Sequence, residues 1–292
     1  MQFTESRPTV LVVIGRTGDG KSAFCNLSVQ ILSGASEKST KFLESKGAAS
    51  ATKTTLTELV RQTNTLVMDT PGLVDTSGPE EDEANMRSIV SAIKQIGHVN
   101  GFLLVLNIEC VRFDERMQRA FKLLFDSFGT ALLNNMGIVF TRSKSSDAAL
   151  QTPIVVQQEI IPIMEHVIGL RLSHIPSWPV ECHPEDMLAM GSPESYIQTL
   201  HRRNEEKIRE IQNWAAAKVP ADINGIKAAQ DAKLEEERRV AAELTKIEAQ
   251  RAREQEQAVA RVAYLQNEYT KSIAQYCGQL VTIGGDRYNL QI

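Results

Sequence analysis

The stretch that most constrains this chain is Gly15-Arg16-Thr17-Gly18-Asp19-Gly20-Lys21-Ser22, which fits the spacing Gly-x-x-x-x-Gly-Lys-Ser. It follows a short apolar run, Thr9 to Ile14, and opens a helical pattern, Lys21 to Leu32. A loop of this kind between a strand and a helix is a phosphate cradle. Glycines let the backbone pass close to the oxygens, and successive N–H groups point at them. Lys21 neutralises the β- and γ-phosphates, and the Ser22 hydroxyl is placed to coordinate Mg2+. The start of the following helix adds its positive dipole end. The residues expected around the nucleotide are Gly15, Arg16, Thr17, Gly18, Asp19, Gly20, Lys21, Ser22 and Ala23.

A second box, Asp69-Thr70-Pro71-Gly72, closes the next apolar run, Leu66 to Asp69. An aspartate at a strand tip holds Mg2+ through water, and a glycine N–H three residues on bonds a γ-phosphate. Together they distinguish triphosphate from diphosphate. The box points to a GTP-driven switch rather than a general ATPase. Between the two boxes, Ser50-Ala51-Thr52-Lys53-Thr54-Thr55 follows a Gly/Ser/Lys-rich stretch that reads as a loop. A threonine that closes over the metal is expected here, Thr52 first and Thr54 second. The alternative is an ordinary strand-initiating threonine cluster. The expected Mg2+ ligands are Ser22, Thr52 and Asp69.

Further apolar runs occur at Phe102 to Leu106, Gly137 to Thr141 and, interrupted by Pro176 and Pro179, Ile175 to Val180. Runs without alternation suit strands buried on both faces of a parallel sheet. Helical patterns lie between them at Glu80 to Ile96, Asp114 to Phe128 and Val155 to Ile168, and a further one, Tyr196 to Lys218, follows. The expected fold is α/β, a P-loop GTPase domain with a mainly parallel central sheet flanked by helices. From Ile226 to Tyr276 there is no Gly or Pro, and Ala, Glu, Arg, Lys and Gln dominate. That composition gives a long helix. Arg251 and Glu254 fall where a heptad seam wants leucine, so a coiled coil and a solvated single helix held by i,i+4 charge pairs both remain open. The domains expected are a G domain over 1–218, with the Tyr196–Lys218 helix packed on it through Leu200, Ile208, Ile211 and Trp214, and a long charged helix with a short tail over 219–292.

These segments resemble the GIMAP, or AIG-type, GTPases, which are related to septins and to the chloroplast import receptor GTPases. Gly15 to Asn26, GRTGDGKSAFCN, is similar to the family's GKTGNGKSATGN. SATKTT at 50–55 resembles SVTKTC, and DTPGLVDT at 69–76 resembles DTPGLFDT. Phe102 to Glu115, FLLVLNIECVRFDE, resembles the family box LLVIPLGRFTEED and sets Arg112-Phe113 on its Arg-Phe. Val139-Phe140-Thr141-Arg142 resembles its fourth motif, which makes Thr141 and Arg142 candidates near the base. Two departures stand out. Ser143 to Asp147 replaces the usual Gly-Asp after Thr-Arg, with Asp147 a possible acceptor for the guanine edge. Val180-Glu181-Cys182-His183 lacks the Asn of the fifth motif.

The resemblance implies GTP/GDP and Mg2+ as cofactors and a homodimer formed through the nucleotide face. Leu73 stands where Ras-like proteins carry a water-positioning glutamine, so a slow GTPase is expected whose missing charge stabilisation a partner supplies. Arg112 is the residue expected to be inserted in trans. Its plainer reading is a surface pair with Asp114 or Glu115. The alternative function is a non-hydrolysing, GTP-bound scaffold that recruits protein partners through the C-terminal helix.

The net charge of −4 and the pI near 5.8 argue against a nucleic-acid partner. Four dispersed cysteines and no apolar run of about 18 residues point to a cytoplasmic protein without a transmembrane segment. Peripheral membrane association, through a partner or a lipidated Cys277, stays open. The five histidines have no metal-ligand spacing.

Overall fold

A computed structural model describes residues 7–44, 54–73, 79–111 and 113–284. Thr52 and Arg112 lie outside the described residues. The strands are β1 (Thr9–Gly15), β2 (Leu56–Val60), β3 (Thr65–Asp69), β4 (His98–Val99), β5 (Gly101–Asn107), β6 (Met136–Thr141), β7 (Ser177–Pro179) and β8 (Ala221–Asp222). The main sheet runs β2-β3-β1-β5-β6-β7. All pairs in it are parallel except β2 with β3, where Leu56 faces Asp69 and Val60 faces Thr65. The sheet is therefore mainly parallel, as its apolar runs require.

The helices are α1 (Lys21–Ser33), α2 (Pro79–Ile96), α3 (Glu115–Phe128), α4 (Thr130–Asn134), α5 (Ser146–Val155), α6 (Ile161–Ile168), α7 (Pro184–Ala189), α8 (Glu194–Ala216) and α9 (Ile223–Gly284). The chain divides into two compact units, 1–230 and 231–292. No described helix is long and apolar enough to cross a membrane.

The alternation of β1 explains its uninterrupted apolar sequence. Val10, Val12 and Ile14 join the core of the face holding α2 and α3, with Ile89, Ile93, Met117 and Phe121. Leu11 and Val13 join the opposite core with Phe24 and Leu27 of α1 and Ile208 and Ile211 of α8. Each strand side chain thus finds a helix whichever way it points. On the second face, Trp178 of β7 meets Trp214 of α8 edge to face, ring centroids 5.2 Å apart.

Three features depart from the sequence expectation. The edge strand β2 was not legible, because its pattern of Leu56, Thr57, Glu58, Leu59 and Val60 leaves only Val60 fully buried. The helix expected from Val155 begins instead at Ser146 and runs through Pro153, continuing by a π turn (Val156–Ile160) into α6. Proline removes an N–H donor, yet the Thr152 hydroxyl donates to the Ala149 carbonyl that this N–H would have reached, at 3.0 Å. The two-residue pairing of β4 with β8 (His98 opposite Asp222) was also missed, since two residues carry no periodic signal.

Asn100 couples the sheet to α8. Its Oδ1 accepts from the Val10 N–H at 3.0 Å, its own N–H bonds the Val10 carbonyl at 3.0 Å, and its side-chain amide reaches the Ala215 carbonyl at 3.5 Å. Replacing Asn100 with Leu keeps the volume but strands a buried N–H. The expected cost is about 1–3 kcal/mol, read as a lower urea midpoint. An unchanged midpoint would show that this bond contributes nothing to coupling β1 and α8.

Candidate functional site

The parallel order brings the C-terminal ends of β1, β3, β5 and β6 to one edge of the sheet, where the loops of an α/β fold form a site. Gly15 ends β1 with φ of 153°, and a Cβ there would stand 2.4 Å from the Val105 carbonyl oxygen. Only glycine passes this point. The loop then turns into α1, whose first residue is Lys21 and whose N-terminus no side chain caps. That end carries the open N–H groups and positive dipole of a phosphate site.

Lys21 is buried and lies across its own loop, donating from Nζ to the Arg16 carbonyl at 2.8 Å. The Ser22 hydroxyl donates to Asp69 Oδ2 at 2.7 Å. Asp69 is fully buried at the tip of β3. A hydroxyl and a buried carboxylate in contact beneath an anion-binding loop are the hard oxygen donors that Mg2+ prefers. Ser22 and Asp69 fit that ion, and the third expected ligand, Thr52, lies outside the described residues. Thr54 is exposed just before β2. The side chain of Ala23 is buried in the core, so only its backbone faces the loop.

Gly72 is pressed against the phosphate loop. A Cβ on it would fall 2.0 Å from Thr17 Oγ1 and 2.8 Å from the Thr17 nitrogen. Leu73 N–H donates to the Gly15 carbonyl at 2.9 Å, and the Leu73 side chain is buried in the core. The segment expected to sense the γ-phosphate is therefore stitched to the loop that binds it. Asn85 of α2 holds the Gly72 carbonyl at 3.3 Å.

Thr141 spends its hydroxyl on the phosphate loop, donating to the Asp19 carbonyl at 2.6 Å. Arg142 follows with φ of 56°, exposed, 3.6 Å from Glu109, which Lys144 also reaches at 2.7 Å. The hydrogen bond from Lys144 holds the Glu109 carboxyl below its ordinary range. Arg16 pairs with Asp114 at 2.5 Å, and Asp114 also caps α3 through the Met117 N–H at 3.1 Å. Asp114 thus has a partner in Arg16, whichever way Arg112 points.

Packing of α8 on the domain is legible in the sequence, but the polar bonds it makes to two loops are not. Arg203 donates from Nη2 to the Ser143 carbonyl and from Nη1 to the Ser145 carbonyl at 3.3 Å. Tyr196 OH donates to the Lys144 carbonyl. Asn204 exchanges two bonds with the Glu181 backbone, at 3.0 and 2.6 Å. One helix thereby holds both loops that follow β6 and β7. Glu181 is buried, its Oε1 accepts from the His183 N–H at 3.0 Å, and its Oε2 has no hydrogen-bond partner among the described residues. The side chain of Asp147 lies outside the described residues. The only cue in sequence was polarity at an apolar run's end, and tertiary contacts give it meaning.

Residues 9–156 match the model of the AIG1 family. The chain belongs to the AIG1 family. Among solved structures it is similar to Toc33 from Arabidopsis thaliana in complex with Mg2+ and GMPPNP, at 15% identity over 73% of this chain and 87% of that one, with a TM-score of 0.49. A dimerization-deficient mutant of Toc33 matches at 14% identity over 70% and 85%, with a TM-score of 0.47. No curated protein matches. This AIG1 member carries Asp19 where the family resemblance sets asparagine. Among the described residues no cluster of His, Cys, Asp and Glu is built for a further metal ion.

Burial raises the Asp19 carboxyl from 3.8 to about 6, against the opposing pull of Lys21, Arg16 and Arg142. A carboxyl raised in the folded state keeps its proton there longer than in the unfolded chain. Stability contributed by this group is therefore present below about pH 4 and lost as pH rises through about 6. Asp19→Asn should remove that slope and leave the nucleotide-free protein about 1–3 kcal/mol more stable above pH 7. Thermal midpoints measured from pH 4 to 8 check it. Parallel profiles for parent and variant would rule it out.

Proposed function

We propose that this protein binds GTP and GDP with Mg2+ and is a slow GTPase acting as a nucleotide-dependent switch. The observation that carries the reading is the Ser22–Asp69 contact beneath an uncapped glycine loop crossed by Lys21. Lys21 is set to leave the Arg16 carbonyl for the β- and γ-phosphates, and the backbone of 15–22 to wrap them. Bound Mg2+ supplies charge neutralisation at the β,γ-bridge. Ser22 and Asp69 would hold it, with Thr52 closing from the other side. Membership of the AIG1 family and the Asp-Thr-Pro-Gly box favour GTP.

The base edge is assigned to Glu181. It is a buried carboxylate at the end of β7, beside the loop after β6, with one oxygen unpartnered. A carboxylate there accepts the paired N1 and N2 hydrogens of guanine and repels the acceptor edge of adenine. Asn204 positions it from α8, and Arg203 holds the loop beside it.

Leu73 bears on hydrolysis. Buried in the core and apolar, it cannot orient an attacking water. A second copy meeting the first across the nucleotide face would supply the missing charge through Arg112. Arg16–Asp114 is the pair that links the phosphate loop to the segment carrying that arginine. A second reading, a GTP-held scaffold, is favoured by the exposed residues of the long α9.

GTP should bind at least tenfold more tightly than ATP, about 1.4 kcal/mol. Glu181→Gln should erase most of that preference, and Lys21→Ala should abolish tight binding of both. Calorimetric titration with the four nucleotides reads this out. A Glu181→Gln protein with parental selectivity would return the base edge to Asp147.

The rate of GTP hydrolysis per chain should rise with protein concentration, because cationic stabilisation of the transferring phosphate is worth roughly 10³–10⁵ in rate. Arg112→Ala should flatten the rise with GTP affinity nearly unchanged. A constant rate across a measured self-association that requires GTP would refute the nucleotide-face mechanism. A constant and negligible rate would favour the scaffold.

A further inference from the structure

Residues 238–275 of α9 are all exposed, including large apolar side chains. Val240, Leu244 and Ile247 follow one another by four and three residues. So do, farther along, Val262, Leu265 and Tyr269, by three and four. At about 100° per residue these six fall within a stripe roughly 60° wide. A soluble helix with such a stripe has a partner face.

The stripe is interrupted at its middle by Arg251, Glu254, Gln255 and Ala258. The step from Ile247 to Val262 is 15 residues, a little over four helical turns, which keeps the stripe on one side of the helix. The pattern reads the same in both directions from the midpoint between Glu254 and Gln255. Positions 240 and 269, 244 and 265, 247 and 262, and 251 and 258 are equidistant from it.

We infer that α9 pairs with α9 of a second copy of this chain as an antiparallel two-stranded coiled coil centred between Glu254 and Gln255. Antiparallel pairing sets Leu244 opposite Leu265 and Ile247 opposite Val262, and the two-fold axis repeats both layers. Arg251 then stands opposite Ala258, whose small side chain leaves room, one turn from Glu254 of the second copy. Two Arg251–Glu254 pairs flank the axis. Parallel, in-register pairing would stack Arg251 on Arg251 and Glu254 on Glu254, which buried like charges forbid. Charge thus selects both the partner and its direction. This interface uses no residue of the nucleotide site and exists whether or not nucleotide is bound.

The test uses the full chain without nucleotide, in a Cys110→Ser, Cys277→Ser background. Mass by light scattering should be that of a dimer, and Lys21→Ala should leave it so. Arg251→Glu should weaken self-association at least tenfold, and Arg251→Glu with Glu254→Arg should restore it. When tagged Leu244→Cys chains are mixed with untagged Leu265→Cys chains and oxidised, the disulfide should join the two kinds. A monomeric mass would overturn the inference. So would disulfides only between like chains, or an Arg251→Glu protein that associates as the parent does.

Discussion

The position of β1 organises the rest of the structure. It is buried on both faces and hydrogen-bonded on both edges, to β3 and to β5. Nothing but an apolar run can occupy such a place, and nothing but parallel neighbours can aim their loops at its C-terminal end. Once Gly15 is fixed against the Val105 carbonyl, the phosphate loop, the tip of β3 and the end of β6 are within reach of one another. The Ser22–Asp69 and Thr141–Asp19 contacts are consequences of that placement. They join residues 47 and 122 positions apart in sequence.

Around this centre the polar groups are used twice. Lys21 donates to its own loop carbonyl, Asp69 receives a serine hydroxyl, and Arg16 is held by Asp114. The first two contacts lower the cost of keeping Lys21 and Asp69 buried. Asp19 is the exception in degree. Its carboxyl is raised by burial in spite of three nearby cations, so this loop carries a mild strain that an asparagine would not. The same logic holds at the far end of the sheet, where the Asn26 amide bonds both the Phe42 carbonyl and Glu44, each at 2.8 Å. Glu44 lies 3.3 Å from His183. The segment leading toward the expected switch threonine is thereby tied to the loop after β7.

The parts legible in sequence were those whose physics is local. The phosphate loop, the Asp-Thr-Pro-Gly box and the strand–helix alternation can be read from spacing and periodicity. The helical pattern opening at Asp114 marks the start of α3, where that side chain caps the Met117 N–H. What could not be read rests on distant partners. Leu56 to Val60 is an edge strand only because β3 offers it a row of acceptors. Pro153 looks like a helix breaker until Thr152 is seen to bond the carbonyl it would orphan. Glu181, Tyr196, Arg203 and Asn204 look like ordinary surface polarity until α8 is laid across the two loops.

That last arrangement has a consequence for what counts as the smallest working piece of this fold. The family-matched segment ends at Val156, on the first residue of the π turn between α5 and α6. β7, the loop carrying Glu181 and the whole of α8 follow it. Inheritance and folding therefore draw their boundaries in different places. The family match covers the half that carries the phosphate-loop motif. The half proposed to meet the base is held by α8, through Arg203 on the loop after β6 and Asn204 on the loop after β7. On the proposed reading, a change at Arg203 or Asn204 alters base preference without touching any contact of the phosphate loop.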